Sequence, residues 1–195
     1  MNHPSSVSLT VFSLLLFISH NGAAAEDITV ETCRKSAESS PNLNFTSCVN
    51  SLQSDPRSST ANLQQLGIIS MELSLTNATY INSYIKKLLN DKDLDDFTRI
   101  EKYLRDCSEL YGDAISNIEE AVKAFDAYDS FSANIKMSAA MDSSTTCEDG
   151  FKDNDNNQDY SAVSPLVREN YDFFQLTAVS LAITNLVRHS ILLSM

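Results

Sequence analysis

Four cysteines carry most of the chemistry that this 195-residue chain offers. They are Cys33, Cys48, Cys107 and Cys147, and all lie downstream of an apolar amino-terminal run. An even number of cysteines in an exported chain indicates two disulfide bonds rather than a metal site or a redox pair. Four cysteines allow three pairings. We expect Cys33–Cys48 and Cys107–Cys147, because each pair joins consecutive helical segments that should lie side by side.

Catalytic groups are scarce. Beyond residue 25 the only histidine is His189, and a serine or cysteine nucleophile needs a base that a third group positions. Oxidised cysteines supply no thiolate. The acidic pairs Glu119-Glu120 and Glu148-Asp149 would act as an acid and a base only in an apolar cleft that raises one pKa. We therefore interpret His189 and the two acidic pairs as surface residues, and we expect neither enzyme activity nor a cofactor.

The acidic segment 152–159 comes closest to a metal-binding motif. Asp153, Asp155 and Asn157 match the first ligands of a calcium loop. Gln158 then stands where the loop needs glycine, and Ser164 where it needs a bidentate glutamate. We interpret the segment as a connection between helices and expect no metal site.

The overall charge excludes further classes of partner. The chain has 26 acidic and 14 basic residues, a net charge of -12 and a pI of about 4.5. Nucleic acids and anionic membrane surfaces attract lysine and arginine, so we expect neither as a partner. Only four glycines and four prolines occur, which favours long helices over strands joined by frequent turns.

Residues 1–25 are predicted to be a secretory signal peptide. The apolar run Val11–Ile18 is too short to span a bilayer, and Ala23–Ala25 provides a small-residue cleavage site. No later segment is long and apolar enough without charges to cross a membrane. We expect a soluble exported protein with one domain, residues 26–195.

Within that domain, residues 26–56 are predicted to form a helical hairpin. The turn residues of segment 39–42, which include Pro41, interrupt the stretch. Asp55-Pro56 ends it, because the residue before proline is driven away from helical geometry. Cys33–Cys48 would then hold the two short helices together.

Residues 59–195 are predicted to form four long helices in an antiparallel, up-down-up-down bundle. The first begins at a cap on Ser59 or Thr60 and runs to Asn90. It carries two apolar stripes, Leu66, Ile69, Leu73, Thr76 and Ile68, Met71, Leu75, Ala78. A helix with two such faces is covered on both sides. We expect one face to meet the bundle core and the other the hairpin.

The other three helices follow the same periodicity argument. One has the stripe Leu104, Cys107, Tyr111, Ala114, Ile118, Ala121, Phe125. The next is capped by Asp129 and reaches Cys147. The last opens with Ser164 as cap and Pro165 at its first position, and its stripe is Leu176, Val179, Ile183, Leu186, Ser190, Leu193.

Two sequons are candidate glycosylation sites in an exported chain. Asn44-Phe45-Thr46 lies near the predicted hairpin turn, which makes Asn44 the better acceptor. Asn77-Ala78-Thr79 lies in the middle of a predicted helix, between its two apolar stripes.

One stretch resembles a known family. Residues 138–151, with the sequence SAAMDSSTTCEDGF, resemble a recurrent segment of the plant invertase and pectin methylesterase inhibitors: small residues, Thr-Cys, an acidic pair and Gly-Phe. The order of the four cysteines and the segment 176–184 are also similar to that family. Within it the resemblance is closest to plane-pollen allergens described as invertase inhibitors. It implies a four-helix bundle with an amino-terminal hairpin and two local disulfides.

The resemblance also implies a binding site. In the invertase inhibitors a Pro-Lys-Phe motif, located before the helix of the last cysteine, enters the active-site cleft of the enzyme. Here Asp129 and Ala133 match the flanks, and Ser130-Phe131-Ser132 stand in place of the motif. Phe131 is either an anchor for a partner or a packing residue at the start of its helix, and we keep both interpretations.

Three functional hypotheses follow. The first is a secreted inhibitor of a cell-wall or vacuolar acid invertase, located in the apoplast or the vacuole. The second, in the same family, is an inhibitor of pectin methylesterase. The third, suggested by the two-faced helix 59–90, is a carrier that holds an apolar ligand between helices.

Overall fold

Regular structure in the described part of the chain is entirely helical. The computed structural model describes residues 27–91, 97–152 and 163–193; the predicted signal peptide and the acidic residues 153–159 lie outside them. The helices are α1 (Ile28–Ser39), α2 (Phe45–Gln53), a 3₁₀ turn (Pro56–Thr60), α3 (Leu63–Asn90), α4 (Phe97–Asp126), α5 (Ser130–Lys152) and α6 (Val167–Leu193). Helices α3 to α6 pack as a four-membered ring of neighbours, so the predicted four-helix bundle is confirmed. No described helix is apolar over a bilayer-spanning length.

Helices α1 and α2 form the predicted hairpin. Asp27 caps α1 by accepting a hydrogen bond from the Thr29 amide at 2.9 Å, and Asn44 caps α2 in the same way. The Cys33–Cys48 disulfide joins the two helices, and both cysteines are completely buried. The predicted pairing of the first two cysteines is confirmed.

A buried amide fixes the hairpin turn on the bundle. Gln175 of α6 accepts a hydrogen bond from the Asn44 amide at 2.8 Å and donates one to the Asn42 carbonyl at 2.9 Å. A buried polar group is stabilising only when it is hydrogen-bonded, and here both ends of the Gln175 amide have a partner. The turn therefore has a defined position against the middle of α6.

The predicted start of the first bundle helix is wrong. Ser59 and Thr60 lie in the 3₁₀ turn, and α3 begins with a capping box between Asn62 and Gln65. Each side chain of this box accepts a hydrogen bond from the backbone amide of the other residue, at 2.9 Å. The reciprocal pair satisfies two amides that a helix start leaves free, which a serine in the turn does not do.

The last helix also starts later than predicted. Ser164 does accept a hydrogen bond from a backbone amide, that of Leu166 at 3.1 Å. Pro165 and Leu166 form a turn, however, and α6 begins at Val167. Ser164 therefore caps a turn in front of the helix rather than the helix itself.

The predicted stripe of α4 forms the centre of the core. All seven residues are at most 1% exposed. The second disulfide, Cys107–Cys147, leaves this stripe and connects α4 to α5, as predicted. The two-faced α3 packs against α4 and α6 and also contacts the hairpin and the 3₁₀ turn, which agrees with the expectation that both of its faces are covered.

The predicted stripes of α3 and α6 are only partly correct. Thr76 of α3 is exposed, as are Ser190 and Leu193 of α6. Val179 and Ile183 of the predicted stripe are buried, and so are Phe173, Thr177, Ser180 and Thr184, which the prediction left out. The three hydroxyl groups among these residues donate to carbonyls three or four residues earlier in α6. This internal bonding satisfies them without water, so they can occupy core positions that a count of apolar residues assigns elsewhere.

A polar network lies beside the second disulfide. The buried Tyr111 hydroxyl donates to Asn170 Oδ1 at 2.8 Å, and Asn170 Nδ2 donates to Glu148 Oε2 at 3.0 Å. Burial, followed by the negative charges of Glu169 and Glu148, raises the pKa of Tyr111 well above its ordinary value. Tyr111 therefore remains a neutral donor and joins α4 to α6.

Gly67 allows α3, α4 and α6 to approach closely. A Cβ atom at Gly67 would lie 2.8 Å from Phe125 Cζ and 3.2 Å from Ile183 Cγ2, and both neighbours are completely buried. We expect Gly67→Ala to lower the free energy of unfolding by about 1–3 kcal/mol, because the well-packed Phe125 ring must move. Urea unfolding monitored by circular dichroism measures this change.

Gly112→Ala is the matched control for this prediction. Nothing lies within 4 Å of the corresponding Cβ position, and alanine has the higher helix propensity. We expect this variant to be at least as stable as the wild type. Equal stability of Gly67→Ala and the wild type would contradict the close contact.

Candidate functional site

The connection between α4 and α5 ends one helix and starts the next within three residues, 127–129. The Asp129 amide donates to the Ala124 carbonyl at 2.9 Å, and the Tyr128 amide donates to the Phe125 carbonyl at 3.0 Å. This bond pair is a Schellman motif. It satisfies the last carbonyls of α4 and gives the connection a single backbone geometry.

Tyr128 occupies a position in this motif that normally requires glycine. Its φ is 64°, which is the only positive φ of a non-glycine residue among the described residues. A left-handed conformation costs an L-residue about 1–2 kcal/mol. The side chain gains no burial in return, because it is 73% exposed. A strained, exposed aromatic residue points to a role outside the fold of the monomer.

We expect Tyr128→Gly to stabilise the chain. Relief of the left-handed strain exceeds the entropy that glycine adds to the unfolded state, for a net gain of about 0.5–1 kcal/mol. Thermal unfolding measures the gain. Lower stability of the variant would contradict the strain argument.

Asp129 begins α5, as predicted. Its Oδ1 accepts a hydrogen bond from the Ser132 amide at 2.9 Å, and its carbonyl accepts one from the Ala133 amide at 3.1 Å. The hydrogen bond from Ser132 lowers the pKa of Asp129 below its ordinary value, since it favours the ionised carboxylate. Asp129 is thus a helix cap whose strength depends on pH.

We expect Asp129→Asn to reduce the acid sensitivity of the chain. Because the pKa of Asp129 is lower in the folded state, its stabilisation is complete above the unfolded pKa and is lost as the pH falls through the folded pKa. Asparagine still caps the helix but does not titrate. The stability difference between wild type and variant should therefore change below about pH 4, as measured by urea unfolding at several pH values. A constant difference in unfolding free energy between wild type and variant, from pH 6 down to the lowest pH at which the chain is folded, would contradict this.

Three exposed apolar side chains cluster in sequence at this end of the bundle. Tyr128 is 73% exposed, Phe131 is 62% exposed and Ile135 is 51% exposed. Phe131 and Ile135 lie one turn apart on the outside of α5, since residues at i and i+4 share a face. We call these three side chains the aromatic surface. Grouped, exposed apolar residues mark contact sites more often than single ones do.

Contacts on three sides hold the aromatic surface in place. Gln64 of α3 donates to the carbonyl of Phe125 in the last turn of α4. On α5, Asn134 donates to Thr184 Oγ1 of α6 at 2.7 Å. Lys136 pairs with Glu120 of α4 at 2.6 Å. The start of α5 is therefore tied to α4 and α6, and the last turn of α4 is tied to α3.

The structure separates the four predicted contact residues. Phe131 is exposed, so the interpretation as a packing residue at the helix start is not supported. Ser130 is buried, and its hydroxyl has no hydrogen-bond partner within the described residues. Asp129 and the Ser132 amide form the cap. The sequence analysis missed Tyr128 and Ile135. A signal for Tyr128 was available, because it stands just past the end of a predicted helix, where glycine is common.

The candidate catalytic residues His189, Glu148 and Asp149 are either exposed or paired with neighbouring side chains. His189 is exposed on α6. Glu148 and Asp149 do border a surface cleft of about 490 Å³ between α5 and α6. Glu148, however, accepts from Asn170, and Asp149 pairs with Lys152 at 3.2 Å. Within residues 27–91, 97–152 and 163–193, no group of histidine, cysteine, aspartate or glutamate residues is arranged to hold a metal.

The cleft between α5 and α6 does not strengthen the carrier hypothesis. That hypothesis depended on an apolar face of α3, whereas the walls of this cleft come from α5 and α6. Ile68, Leu73 and Leu75, the apolar residues on the outer sides of α3, are partly buried against the core. The feature that suggested a ligand between helices is thus explained by packing.

Comparisons with known proteins agree on one family. Residues 27–183 match the profile of plant invertase/pectin methylesterase inhibitors. A Platanus acerifolia protein named "Putative invertase inhibitor" is 46% identical over 182 residues, 93% of this chain and 97% of the relative. The "Pectinesterase inhibitor" of Actinidia deliciosa is 31% identical over 153 residues, 76% of this chain and 78% of the relative. The crystal structure of a mutant pectin methylesterase inhibitor from Arabidopsis has a TM-score of 0.60 and 27% identity, covering 76% of this chain and 95% of that one.

Proposed function

The chain belongs to the plant invertase/pectin methylesterase inhibitor family, and from that premise we propose that it inhibits a plant acid invertase by forming a steric complex with the enzyme. The family consists of proteins that inhibit enzymes and do not themselves catalyse reactions. The relevant chemistry is therefore that of a protein surface.

The relationship to the Platanus protein carries the choice of target. Its identity of 46% extends over nearly the whole of both chains, whereas the Actinidia pectinesterase inhibitor shares 31% over three quarters of this chain. The relative that shares more residues over more of its length also shares more of the side chains from which a recognition surface can be built, so it is the better guide to the target.

The aromatic surface is the proposed contact with the enzyme. The Schellman motif and the Asp129 cap fix its backbone before binding, so little conformational entropy is lost on docking. Tyrosine and phenylalanine also bury a large area with few rotatable bonds. Tyr128 and Phe131 would fill pockets at the mouth of the active site and exclude the substrate.

Inhibition of pectin methylesterase is the second candidate, and one observation favours it. The segment Ser130-Phe131-Ser132 lacks the lysine that the family resemblance implies for an invertase inhibitor. Lys136, one turn further along α5, is paired with Glu120 and does not replace it. An aromatic surface without a free cation suits a less acidic active site.

The same premise leads us to propose where the protein acts. The predicted signal peptide directs the chain into the secretory pathway, and an acid invertase of the cell wall or vacuole would meet it there. Both compartments are acidic. Asp129, whose pKa is lowered by its cap bond, would remain ionised in them and keep α5 capped.

A parallel assay tests the target. The purified, oxidised protein is mixed with acid invertase and, separately, with pectin methylesterase near the pH of the apoplast, and residual activity is titrated. We expect stoichiometric loss of invertase activity and an unchanged esterase. Inhibition of the esterase alone would reverse the order of the two candidates. Inhibition of neither, with no complex on gel filtration, would overturn the proposal.

A further inference from the structure

Asn44 is both the cap of α2 and the asparagine of the first sequon, and the two roles use different atoms of its side chain. Its Oδ1 accepts a hydrogen bond from the Ser47 amide at 2.9 Å and so caps α2. The side chain lies on the surface of the hairpin turn. Glycosylation modifies the other atom of the amide, Nδ2. We propose that Asn44 carries an N-linked glycan in the exported protein and that Asn77, in the second sequon, does not.

The chemistry leaves the cap intact. Nδ2 of Asn44 would form a bond to C1 of an oligosaccharide donated by a lipid diphosphate. The bond between C1 and the diphosphate oxygen breaks, the lipid diphosphate leaves, and Nδ2 gives up one proton. The product is still an amide, so Oδ1 still accepts the hydrogen bond from Ser47. The modified residue therefore remains a helix cap.

The surroundings of Asn44 accommodate a bulky substituent. All three residues of its sequon are exposed, with Phe45 42% exposed and Thr46 on the first turn of α2. The backbone amide of Asn44 donates to Gln175, which fixes the position of the main chain. The side chain therefore leaves a rigid turn in the direction of solvent.

Asn77 differs in each of these respects. It lies in the middle of α3, is only partly exposed, and precedes Ala78, which is completely buried. Its Oδ1 is shielded from solvent and has no hydrogen-bond partner within the described residues. Because Oδ1 and Nδ2 share one planar amide, burial of Oδ1 restricts the directions in which a glycan on Nδ2 could extend. A folded, exported chain is thus expected to lack it.

This inference holds whichever enzyme the protein inhibits, and peptide mapping tests it without an inhibition assay. The full chain is expressed in plant leaves and recovered from apoplastic fluid. Treatment with peptide:N-glycosidase A in heavy-oxygen water converts each glycosylated asparagine to labelled aspartate, which mass spectrometry locates. We expect the label at Asn44 and none at Asn77. Labelling at Asn77, or exported protein without label at Asn44, would overturn the assignment.

Variants at the sequon threonines separate glycosylation from capping. Thr46→Ala destroys the first sequon but leaves Asn44 in place as the cap of α2. We expect it to lose the glycan and to keep the helical circular dichroism of the deglycosylated wild type. Thr79→Ala is the matched control in the second sequon, and its glycan should be unchanged. Loss of the glycan in the control would contradict the proposal.

Discussion

The double substitution Tyr128→Ala with Phe131→Ala is expected to weaken inhibition of acid invertase by about 30- to 700-fold, which corresponds to about 2–4 kcal/mol for the loss of an aromatic hot spot. The two rings are the largest exposed apolar groups at the connection between α4 and α5. Neither supports the core, so their removal should leave the fold unchanged. The Asp129 cap and the Schellman bonds use other atoms and should survive.

The inhibition constant is measured by titrating invertase activity with each variant. A matched control replaces Tyr80 on α3 and Tyr171 on α6, which are 58% and 51% exposed. The hydrogen bonds Gln64–Phe125 and Asn134–Thr184 place the connection between α4 and α5 near the first turn of α3 and the carboxy-terminal half of α6. Tyr80 lies about 24 Å from Gln64 along α3, and Tyr171 lies about 20 Å from Thr184 along α6. An equal loss of inhibition in both double variants would contradict a localised contact.

The parts of the fold that the sequence predicted correctly are those with strong local signals. The seven-residue stripe of α4 keeps one spacing over its whole length and is buried throughout. Both disulfides join consecutive helices, so their pairing followed from chain order. In each case the side chain type and its spacing favour the same structure, and no tertiary contact opposes them.

The errors occur where tertiary contacts decide. Thr177, Ser180 and Thr184 are buried because their hydroxyls bond within α6, and a hydrophobic count treats them as surface residues. Ser130 is buried although its neighbour Phe131 is exposed, so polarity predicts the reverse of what the start of α5 shows. Such inversions are expected at functional surfaces, where local preference yields to another requirement.

At the candidate site, too, the sequence predicted only part of what the structure shows. The family resemblance pointed to the connection between α4 and α5 but named only one of the three exposed apolar side chains of the aromatic surface. Tyr128 was missed because a left-handed tyrosine violates the preference for glycine at that position. Ile135 was missed because it lies outside the buried line of α5, on a helix whose buried face consists largely of small residues. Both are visible only when exposure is known.

Removal of the Cys107–Cys147 disulfide is expected to produce the largest loss of stability. A cross-link across 40 residues of sequence restricts the unfolded chain by about 4 kcal/mol in the chain-entropy account. For a chain of this size that loss lowers the melting temperature by about 8–16 °C. The native state should persist, because α4 and α5 remain packed along their length. The double variant Cys107→Ala with Cys147→Ala tests this in a thermal unfolding scan.

The double variant Cys33→Ala with Cys48→Ala is the internal comparison. Its shorter separation of 15 residues gives about 3 kcal/mol in the same account. The two hairpin helices have only 12 and 9 residues, which is too short for helices to be stable alone. Loss of this bond should therefore release the hairpin in a separate, earlier transition, whereas loss of Cys107–Cys147 should lower the single transition of the bundle. A larger loss of bundle stability for the hairpin pair, or one shared transition in both variants, would show that the hairpin and bundle unfold as one unit.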